Sequence, residues 1–535
     1  MTGPHPPWSS LADVAAGSAR LTRGLVPLRR ATPRRLVRMA RGLSAHGLTL
    51  AGLARLAAIR DGRDVVLVDA AGPVTADQLD RWSSTVAGEL VRREILAAGS
   101  RLGVLCRGGR GFAVAAIAGS RVGADVVLLH TGYSANTLAD VLRIEEVRAV
   151  VHDEEFGDLL GAARFRGTTI IADGAAPGVL SLRGMQALPQ ADAPAPAHPG
   201  QLVVLTSGTS GRPRHAHRRP AGPAAAIPVM SLFRRLAIRR RSPMLILPPL
   251  FHGYGVGSFA VALGLGCPAI VVARFDADDA LRLVDEHAVE TLVVVPSMLH
   301  RLGEALGDRP PPPSLRAIVS ASAPLHPTVW RRAVAAFGPI VHNVYGSTEA
   351  GWCTLARPED LAAAPGTIGR PAVGIQVHIV DERGLAAPPH TVGRVVVGSP
   401  LLDDGADAGA VLRRRGGFVD TGDLGHVDEH GRYFVDGRAD DMIVSGGEQV
   451  FTAAVEDVLL GHPGVADALV VGELDEDLGP GLVAHVVVRA GHAPSEDDLA
   501  AHLADTLGAA AQPRRFRFVT AIATNDVGKR ILVRR

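Results

Sequence analysis

From about residue 61 to residue 370 short apolar runs alternate with amphipathic stretches of helical length, and this constrains the fold more than any other feature. The strand-like runs are Val65-Val66-Leu67-Val68, Leu102-Gly103-Val104-Leu105, Val126-Val127-Leu128-Leu129, Ala149-Val150-Val151 and Thr169-Ile170-Ile171. Helical patterns fill 76–98, 110–121, 135–146 and 154–164 between them. After a Pro/Ala-rich linker the alternation resumes with Met244-Leu245-Ile246-Leu247, Ala269-Ile270-Val271-Val272, Leu292-Val293-Val294-Val295, Ala317-Ile318-Val319 and Ile340-Val341-His342, with helical patterns near 276–288, 297–306 and 326–337. Strands apolar on both faces, separated by helices, imply parallel sheets covered on both sides. Two stacked α/β halves account for most of the chain before residue 370. Beyond it the strands lie closer together with Gly turns, as in a small antiparallel barrel. A separate α/β unit follows from 441.

One stretch inside this frame carries unusual chemistry. The run Gln201-Leu202-Val203-Val204 predicts a buried strand, and Leu205-Thr206-Ser207-Gly208-Thr209-Ser210-Gly211-Arg212-Pro213-Arg214 follows it. The loop offers hydroxyls at Thr206, Ser207, Thr209 and Ser210. Gly208 and Gly211 can take positive φ and turn backbone N–H groups inward together, and Arg214 adds a cation. Such a loop suits a triphosphate. By itself it also suits a plain Ser/Thr/Gly surface loop. It is not a Walker loop, which needs Lys after its last Gly.

Lysine is scarce everywhere: Lys529 is the only one in 535 residues. A bias toward Ala, Gly, Arg and Val suggests a GC-rich genome that has replaced Lys wherever Arg serves. A surviving lysine then marks a site that needs a compact point charge instead of a planar fork.

Composition narrows the class. A chain of this length exceeds one core and splits into domains. With 47% hydrophobic and 21% charged residues it is globular, and a net charge of +2 argues against a general nucleic-acid binder. Cys106, Cys267 and Cys353 are far apart and form no disulfide framework, so a reducing cytoplasm fits. No signal-peptide pattern opens the sequence. The run Ser242–Ala273 lacks Asp, Glu, Lys and Arg, but five glycines and Pro243, Pro248, Pro249 and Pro268 break it into a strand, a loop, a helix and a strand. Residues 14–60 contain no acid and carry ten arginines, with Leu36, Met39 and Leu43 at helical spacing. Two readings stand: peripheral contact with an anionic membrane surface, or a leader helix packed on the domain with its charges solvated. The packed leader is favoured.

Further constellations follow in order. Gly253-Tyr254-Gly255-Val256-Gly257 imitates a dinucleotide fingerprint, but Pro248-Pro249-Leu250-Phe251-His252 separates it from the strand, so the tight first turn is missing. Asn343-Val344-Tyr345-Gly346-Ser347-Thr348-Glu349 ends a strand, where α/β sheets place ligands. Tyr345 can stack on a base, Thr348 can bond a phosphate, and Glu349 can hold Mg²⁺ through oxygen. Asp423 in Asp420-Thr421-Gly422-Asp423 can accept from two ribose hydroxyls. Arg438 stands beside a domain boundary, and Gly446-Gly447 admits close approach to the backbone. A solvated turn between strands is the competing reading of these last two stretches.

Taken together these stretches resemble the adenylate-forming superfamily, which includes acyl-CoA synthetases, luciferases and the adenylation domains of peptide synthetases. The resemblance runs from about residue 50 to 535 and rests on TSGTSGRPR, PLFHGYG at 249–255, SASAPL at 320–325, YGSTE at 345–349, TGD at 421–423, GRADDMIVSGGE at 437–448 and a near-terminal GK at 528–529. It implies an α/β fold: a large N-terminal domain of two stacked βαβ sheets plus a small β-barrel, then a small mobile α/β C-terminal domain. The expected division is a basic leader over 1–60, an ATP- and acyl-binding domain over 61–439, and a lid over 440–535 that carries the catalytic lysine.

The resemblance implies roles position by position. Thr206, Ser207, Gly208, Thr209, Ser210 and Gly211 close over the β- and γ-phosphates with Arg214. Ser322, Ala323, Pro324, Asn343, Tyr345 and Gly346 form the adenine side, while Asp423, helped by Arg438, binds the ribose. Thr348 contacts the α-phosphate and Glu349 holds Mg²⁺. His252 sits between the acyl pocket and the α-phosphate, and Lys529 bridges the carboxylate and the phosphoryl oxygen. Asp440 is the hinge. Ser445, Gly446 and Gly447 line the tunnel for the pantetheine thiol. ATP, Mg²⁺ and coenzyme A are the implied cofactors, and a carboxylic acid is the implied substrate. The acid attacks the α-phosphate to give an acyl-adenylate and pyrophosphate, a step that concentrates negative charge and needs aligned cations. The thiol of CoA then displaces AMP, after the small domain has exchanged Lys529 for the Gly446 face.

The region 251–255 lacks the Asp with which peptide-synthetase domains grip an amino group, so a plain acid is expected. Small and apolar residues over 257–273 favour a medium- or long-chain fatty acid, with an aryl acid as the nearest competitor. Two other classes remain. One is an acyl-AMP ligase that loads a carrier protein, although no insertion typical of such ligases is located. The other is a non-catalytic binder of acyl-adenylate, against which Glu349, Asp423 and Lys529 argue. The sequence departs from the family at Arg214 and His215, where Lys and Gly are usual, and at Gln449 and Thr452, where Asn and Pro are common.

Overall fold

The computed structural model describes residues 33–174, 179–189, 193, 195–207, 213–218, 226–236, 238–347, 350–399, 418–439, 442–445, 448–475, 479–504, 506–507, 511–524 and 530–531. It divides into two compact units. The first takes the described residues of Met1–Asp276 and Glu286–Val293, and the second those of Ala277–Asp285, Val294–Leu402 and Ala406–Arg535.

In the first unit the predicted alternation is realised as strands β1 (Val65–Asp69), β2 (Gly72–Thr75), β3 (Arg101–Leu105), β4 (Asp125–Leu128), β5 (Ala149–His152), β6 (Thr168–Ile171), β7 (Leu202–Ser207), β8 (Pro213–Arg218), β9 (Met244–Ile246), β10 (Ala269–Val271) and β11 (Thr291–Val294). The helices that organise it are α1 (Pro33–His46), α2 (Leu50–Asp61), α3 (Ala76–Arg92), α4 (Arg110–Val122), α5 (Ala135–Ile144) and α6 (Gly253–Leu265). One sheet has the order β6-β5-β3-β4-β7-β8, parallel except for β8. Its central strands lie deep in the core, with Leu102, Val104, Val127, Ala149 and Val150 fully buried. The connection from β3 runs to β4 on one side and that from β5 to β6 on the other, so the carboxyl edge of this sheet is a ligand-binding edge by topology. In the second sheet β9 lies between β10 and β11, all parallel, with β1 joining β10 and the short β2 antiparallel to it.

Helix α6 comes from the Gly-rich run 253–265, where apolar residues are not confined to one face, and it is correspondingly buried. It stops at Gly266, whose φ of 70° supplies the left-handed cap. Its last carbonyls also meet a cation. Arg60 of α2, itself buried, donates Nη1 to Gly264 O at 2.6 Å and Nη2 to Leu263 O at 3.2 Å. Burial, with Arg240 nearby, pulls this guanidinium down to about 10, so it stays charged at neutral pH and complements the negative helix end. Arg60→Met keeps the stem and takes the guanidinium from the buried Gly264 carbonyl, while Leu263 O keeps the Gly266 N–H, which costs about 1–3 kcal/mol. Calorimetry of the full chain is expected to show the transition of this unit lowered by several degrees. An unmoved transition would refute the clamp.

The acid-free leader is described only from residue 33. There α1 packs on α2, with Met39 buried against Leu56 and Ile59. This packing covers residues 33–61, and the rest of the leader, residues 1–32, lies outside the described residues. No helix among the described residues is long and apolar enough to cross a membrane.

The second unit contains α7 (Pro296–Leu306), β12 (Ala317–Ser320), α8 (Pro327–Phe337), β13 (Val341–Ser347), β14 (Gly351–Ala356) and β15 (Arg370–Pro371). Strand β12 pairs in parallel with β13, and β14 and β15 continue antiparallel. An antiparallel meander follows, β16 (Gln376–Val380), β17 (Gly393–Gly398), β18 (Val419–Val427) and β19 (Tyr433–Arg438), in the stretch expected to form a small barrel. Its described strands form a four-stranded sheet with β16 and β19 at the edges. The C-terminal part contributes the hairpin β20 (Met442–Ser445) and β21 (Glu448–Phe451), helix α9 (Thr452–Gly461), and a sheet of β22 (Val465–Asp475), β23 (Gly479–Val488) and β24 (Arg515–Val519). The last pair is β25 (Ala523–Thr524) and β26 (Arg530–Ile531). Helix α9 docks on α8: Arg332 donates to Leu460 O at 2.7 Å and the Thr328 N–H to Asp457 at 3.1 Å.

Candidate nucleotide and acyl site

The clearest cluster lies in the second unit, where Asp423 of β18 faces Tyr345 of β13. The Tyr345 hydroxyl donates to Asp423 Oδ2 at 2.6 Å, and Arg438 of β19 donates to Asp423 Oδ1 at 3.3 Å. Asp423 and Arg438 are direct partners across the β18–β19 ladder. Burial and the facing carboxylate push the Tyr345 phenol well above its ordinary range, so it remains a donor. The TGD stretch is not a solvated turn. It lies within β18, with Thr421 and Asp423 buried and Gly422 at φ 76°. That φ favours glycine, and it lets Asp420 turn back to accept from the Gly422 N–H at 2.9 Å while also meeting Arg394. Thr421 Oγ1 donates to Val395 O at 3.0 Å and accepts from the Asp423 N–H at 3.2 Å, which locks the carboxylate's backbone.

The adenine-side residues gather at the ends of β12 and β13. Ser320, last in β12, pairs with Asn343. Asn343 is buried and donates Nδ2 to Thr367 O at 3.1 Å, which leaves its Oδ1 as the acceptor. Just past β12, Ser322 holds φ 72°, a left-handed conformation that a serine adopts at a cost of about 1 kcal/mol. Ala323 is half-buried and Pro324 exposed. Gly346 is required sterically, because a Cβ there would come within 2.2 Å of the Gly351 carbonyl oxygen. Thr348 and Glu349 lie outside the described residues, as do Gly208, Thr209, Ser210, Gly211, Asp440, Gly446, Gly447 and Lys529.

The phosphate stretch, in the first unit, differs from the expected loop. Thr206 and Ser207 belong to β7, and Arg214 belongs to β8, where it pairs with Thr206. The strands run on into the motif, so its described part is a hairpin, with Ser207 opposite Pro213. Ser445 likewise ends β20 and pairs with Glu448 across a second hairpin.

His252 precedes α6, at the N-cap position, with φ −97° and ψ 146°, and its side chain does not cap the helix. A Cβ built on Gly253 would lie 3.6 Å from Val204 Cγ1, which sets the start of α6 against β7. Phe251 is buried beside it, with ring centroids 6.1 Å apart. Tyr254 is buried too, and burial alone raises its phenol far above the usual range.

These placements match an established family. The model of the AMP-binding enzyme matches residues 55–405, and that of the AMP-binding enzyme C-terminal domain matches 454–529. The chain belongs to the AMP-binding enzyme family. It therefore lies in the adenylate-forming superfamily, and both expected parts of the fold are present. Among its relatives is a medium/long-chain-fatty-acid–CoA ligase, FadD8 of Mycobacterium tuberculosis, 31% identical over 65% of this chain and 63% of that protein. The chain thus spans under two thirds of that relative's length. A 2-succinylbenzoate–CoA ligase of Bacillus cereus is 30% identical over 82% of this chain and 87% of its own. The ATP-bound crystal structure of MatB from Rhodopseudomonas palustris superposes with a TM-score of 0.80 at 26% identity, covering 90% of this chain and 97% of that one.

Sequence reasoning missed three features of this AMP-binding enzyme. The Arg60 clamp on α6 joins residues 204 apart in sequence. The Tyr345–Asp423 bond joins two motifs 78 residues apart that carried separate roles. His130, at the end of β4, was passed over although a polar residue at the carboxyl edge of such a sheet is a signal in itself.

Proposed function

We propose that this protein is an acid–thiol ligase that activates a medium- or long-chain fatty acid as its adenylate and transfers the acyl group to CoA, using ATP and Mg²⁺. The observation that carries the reading is the buried Asp423 held by Tyr345 and Arg438. A carboxylate offers about four acceptor positions. A carboxylate held in place by Tyr345 and Arg438 suits a partner in the vicinal hydroxyls of a ribose. Tyr345 brings an aromatic face to the same spot, and the Oδ1 of Asn343 is an acceptor for an exocyclic amine.

In this reading the hairpin β7–β8, through Thr206 to Gly211 and Arg214, closes on the β- and γ-phosphates. Thr348 meets the α-phosphate, and Glu349 would hold Mg²⁺, which supplies charge neutralisation at the phosphates. Ser322, Ala323, Pro324 and Gly346 shape the adenine side. His252 stands at the acyl end and Lys529 bridges the two reacting anions. Rotation of the 440–535 part about Asp440 brings Ser445, Gly446 and Gly447 to the thiol path. The three cysteines are buried and free, which fits a reducing cytoplasm.

The relatives support an acid and CoA as substrates and differ in the acid. The small and apolar residues over 257–273 favour an alkyl chain over an aryl acid. Pyrophosphate release measured with octanoate, palmitate, benzoate and 2-succinylbenzoate, with and without CoA, tests both points. Expected is release that depends on the two fatty acids, with CoA thioester formed. Release only with an aryl acid would overturn the fatty-acid assignment, and adenylate without thioester would favour a carrier protein as acceptor.

A further inference from the structure

His130 follows β4 at the carboxyl edge of the six-stranded sheet. Strands β4 and β7 are parallel neighbours, with Leu128 opposite Val204. Continuing that register by two residues sets His130 level with Thr206, where the phosphate hairpin departs. The start of α6 lies against the same edge, through Gly253 and Val204. His130 therefore stands where the first sheet meets the loop that carries Phe251 and His252.

Its surroundings are aromatic on three sides. The ring meets Phe251 edge-on at 5.0 Å between centroids and 61° between planes. It stands nearly perpendicular to His252, at 6.3 Å and 77°. Tyr133 closes another side at 5.4 Å, its phenol pushed up to about 12 by burial and so protonated. The ring is also pinned from its own chain, because the Gly132 N–H donates to His130 Nδ1 at 3.0 Å. An Nδ1 that accepts carries no proton, so the neutral ring holds its proton on Nε2. Two imidazoles in a direct hydrogen bond would have centroids about 5 Å apart. At 6.3 Å the pair acts through edge-to-face packing.

We propose that His130 is a positioning residue: its ring, pinned by Gly132, fixes the planes of Phe251 and His252 and so aims the His252 imidazole at the reacting centre. The proposal rests on the assignment of His252 to the acyl end of the site. His252 does not cap α6, and its ring packs against those of Phe251 and His130.

Two variants separate ring from acceptor. His130→Asn keeps an acceptor for the Gly132 N–H and loses the ring. His130→Phe keeps the ring and loses the acceptor. In pyrophosphate release driven by octanoate, His130→Asn is expected to lower kcat about 10-fold, the scale of a small misplacement, with KM for ATP unchanged. His130→Phe is expected to retain most of the rate. In a His252→Ala background, His130→Asn should add no further loss, because the two act as one unit. Equal losses in both backgrounds, or no loss in either, would overturn the proposal. A second readout does not depend on turnover: the His252 Cε1–H resonance should shift in His130→Asn while the rest of the spectrum stays folded. If no acid supports turnover, the functional assignment fails and this resonance still decides the pairing. An unmoved resonance refutes it.

Discussion

Lys529→Arg is expected to lower acid-dependent pyrophosphate release by about 10²-fold, nearly as much as Lys529→Ala, the scale of losing one transition-state donor. That factor corresponds to about 2.7 kcal/mol of lost stabilisation. Charge is conserved in this substitution, so the loss must come from shape. An ammonium is a compact point donor, whereas a guanidinium spreads its donors over a plane. The space between an attacking carboxylate and an α-phosphate suits the former. The chain tests part of this argument itself, since Arg530 lies immediately beside Lys529 and every other permanently cationic side chain is Arg. The next residue, Arg530 of β26, pairs with Thr524 of β25. Thioester formation from pre-made acyl-adenylate should be unchanged if, as proposed, the lysine acts only in the first half-reaction. Both half-reactions can be timed separately by rapid quench. A near wild-type rate of adenylation in Lys529→Arg would mean that the lysine survived by chance.

How much of this was legible in the sequence differs by scale. Each apolar run named before residue 370 falls on a strand, because strands buried on both faces must be apolar along their whole length; most bounds agree within one or two residues, while β7 and β13 run on three and five residues further, to Ser207 and Ser347. Ends were less legible. The pattern over 76–98 gives a helix only to Arg92, where the following Arg93-Glu94 turn takes over and Glu94 adopts φ 58°. In the two motifs that looked like loops, at 205–214 and 420–423, the described residues are strand. In the first, residues of low strand propensity are carried into β7 and β8 by pairing. In the second, Gly422 accepts a positive φ inside β18 without ending it. Side-chain partnerships across the fold left no local trace. Nothing near Arg60 announces Gly264, and nothing near Tyr345 announces Asp423. Such contacts depend on which strand ends become neighbours, and periodicity does not encode that.

Asp423→Ala is expected to weaken ATP binding by about 10²-fold, since two charge-assisted hydrogen bonds, each contributing about 1.5–3 kcal/mol, are removed from the ribose. The same change strands the Tyr345 hydroxyl, so the variant should also lose about 1–3 kcal/mol of stability without ligand. Tyr345→Phe separates the two effects. It removes the 2.6 Å bond and keeps the aromatic face, while the Arg438 bond to the carboxylate remains. If Tyr345 serves mainly by stacking, the phenylalanine variant binds ATP within a few-fold of the wild type, while Tyr345→Ala loses the stacking contribution of about 1–3 kcal/mol. Calorimetric titration with ATP in the absence of acid reads binding apart from chemistry, and thermal unfolding reads stability apart from both. An Asp423→Ala protein that is destabilised yet binds ATP normally would leave Asp423 as a structural partner of Tyr345 and take it out of the nucleotide site. An ordered series is the expected result: Asp423→Ala weakest, Tyr345→Ala intermediate and Tyr345→Phe near the wild type. That order follows if a carboxylate binds the diol by charge-assisted hydrogen bonds and the aromatic face adds stacking.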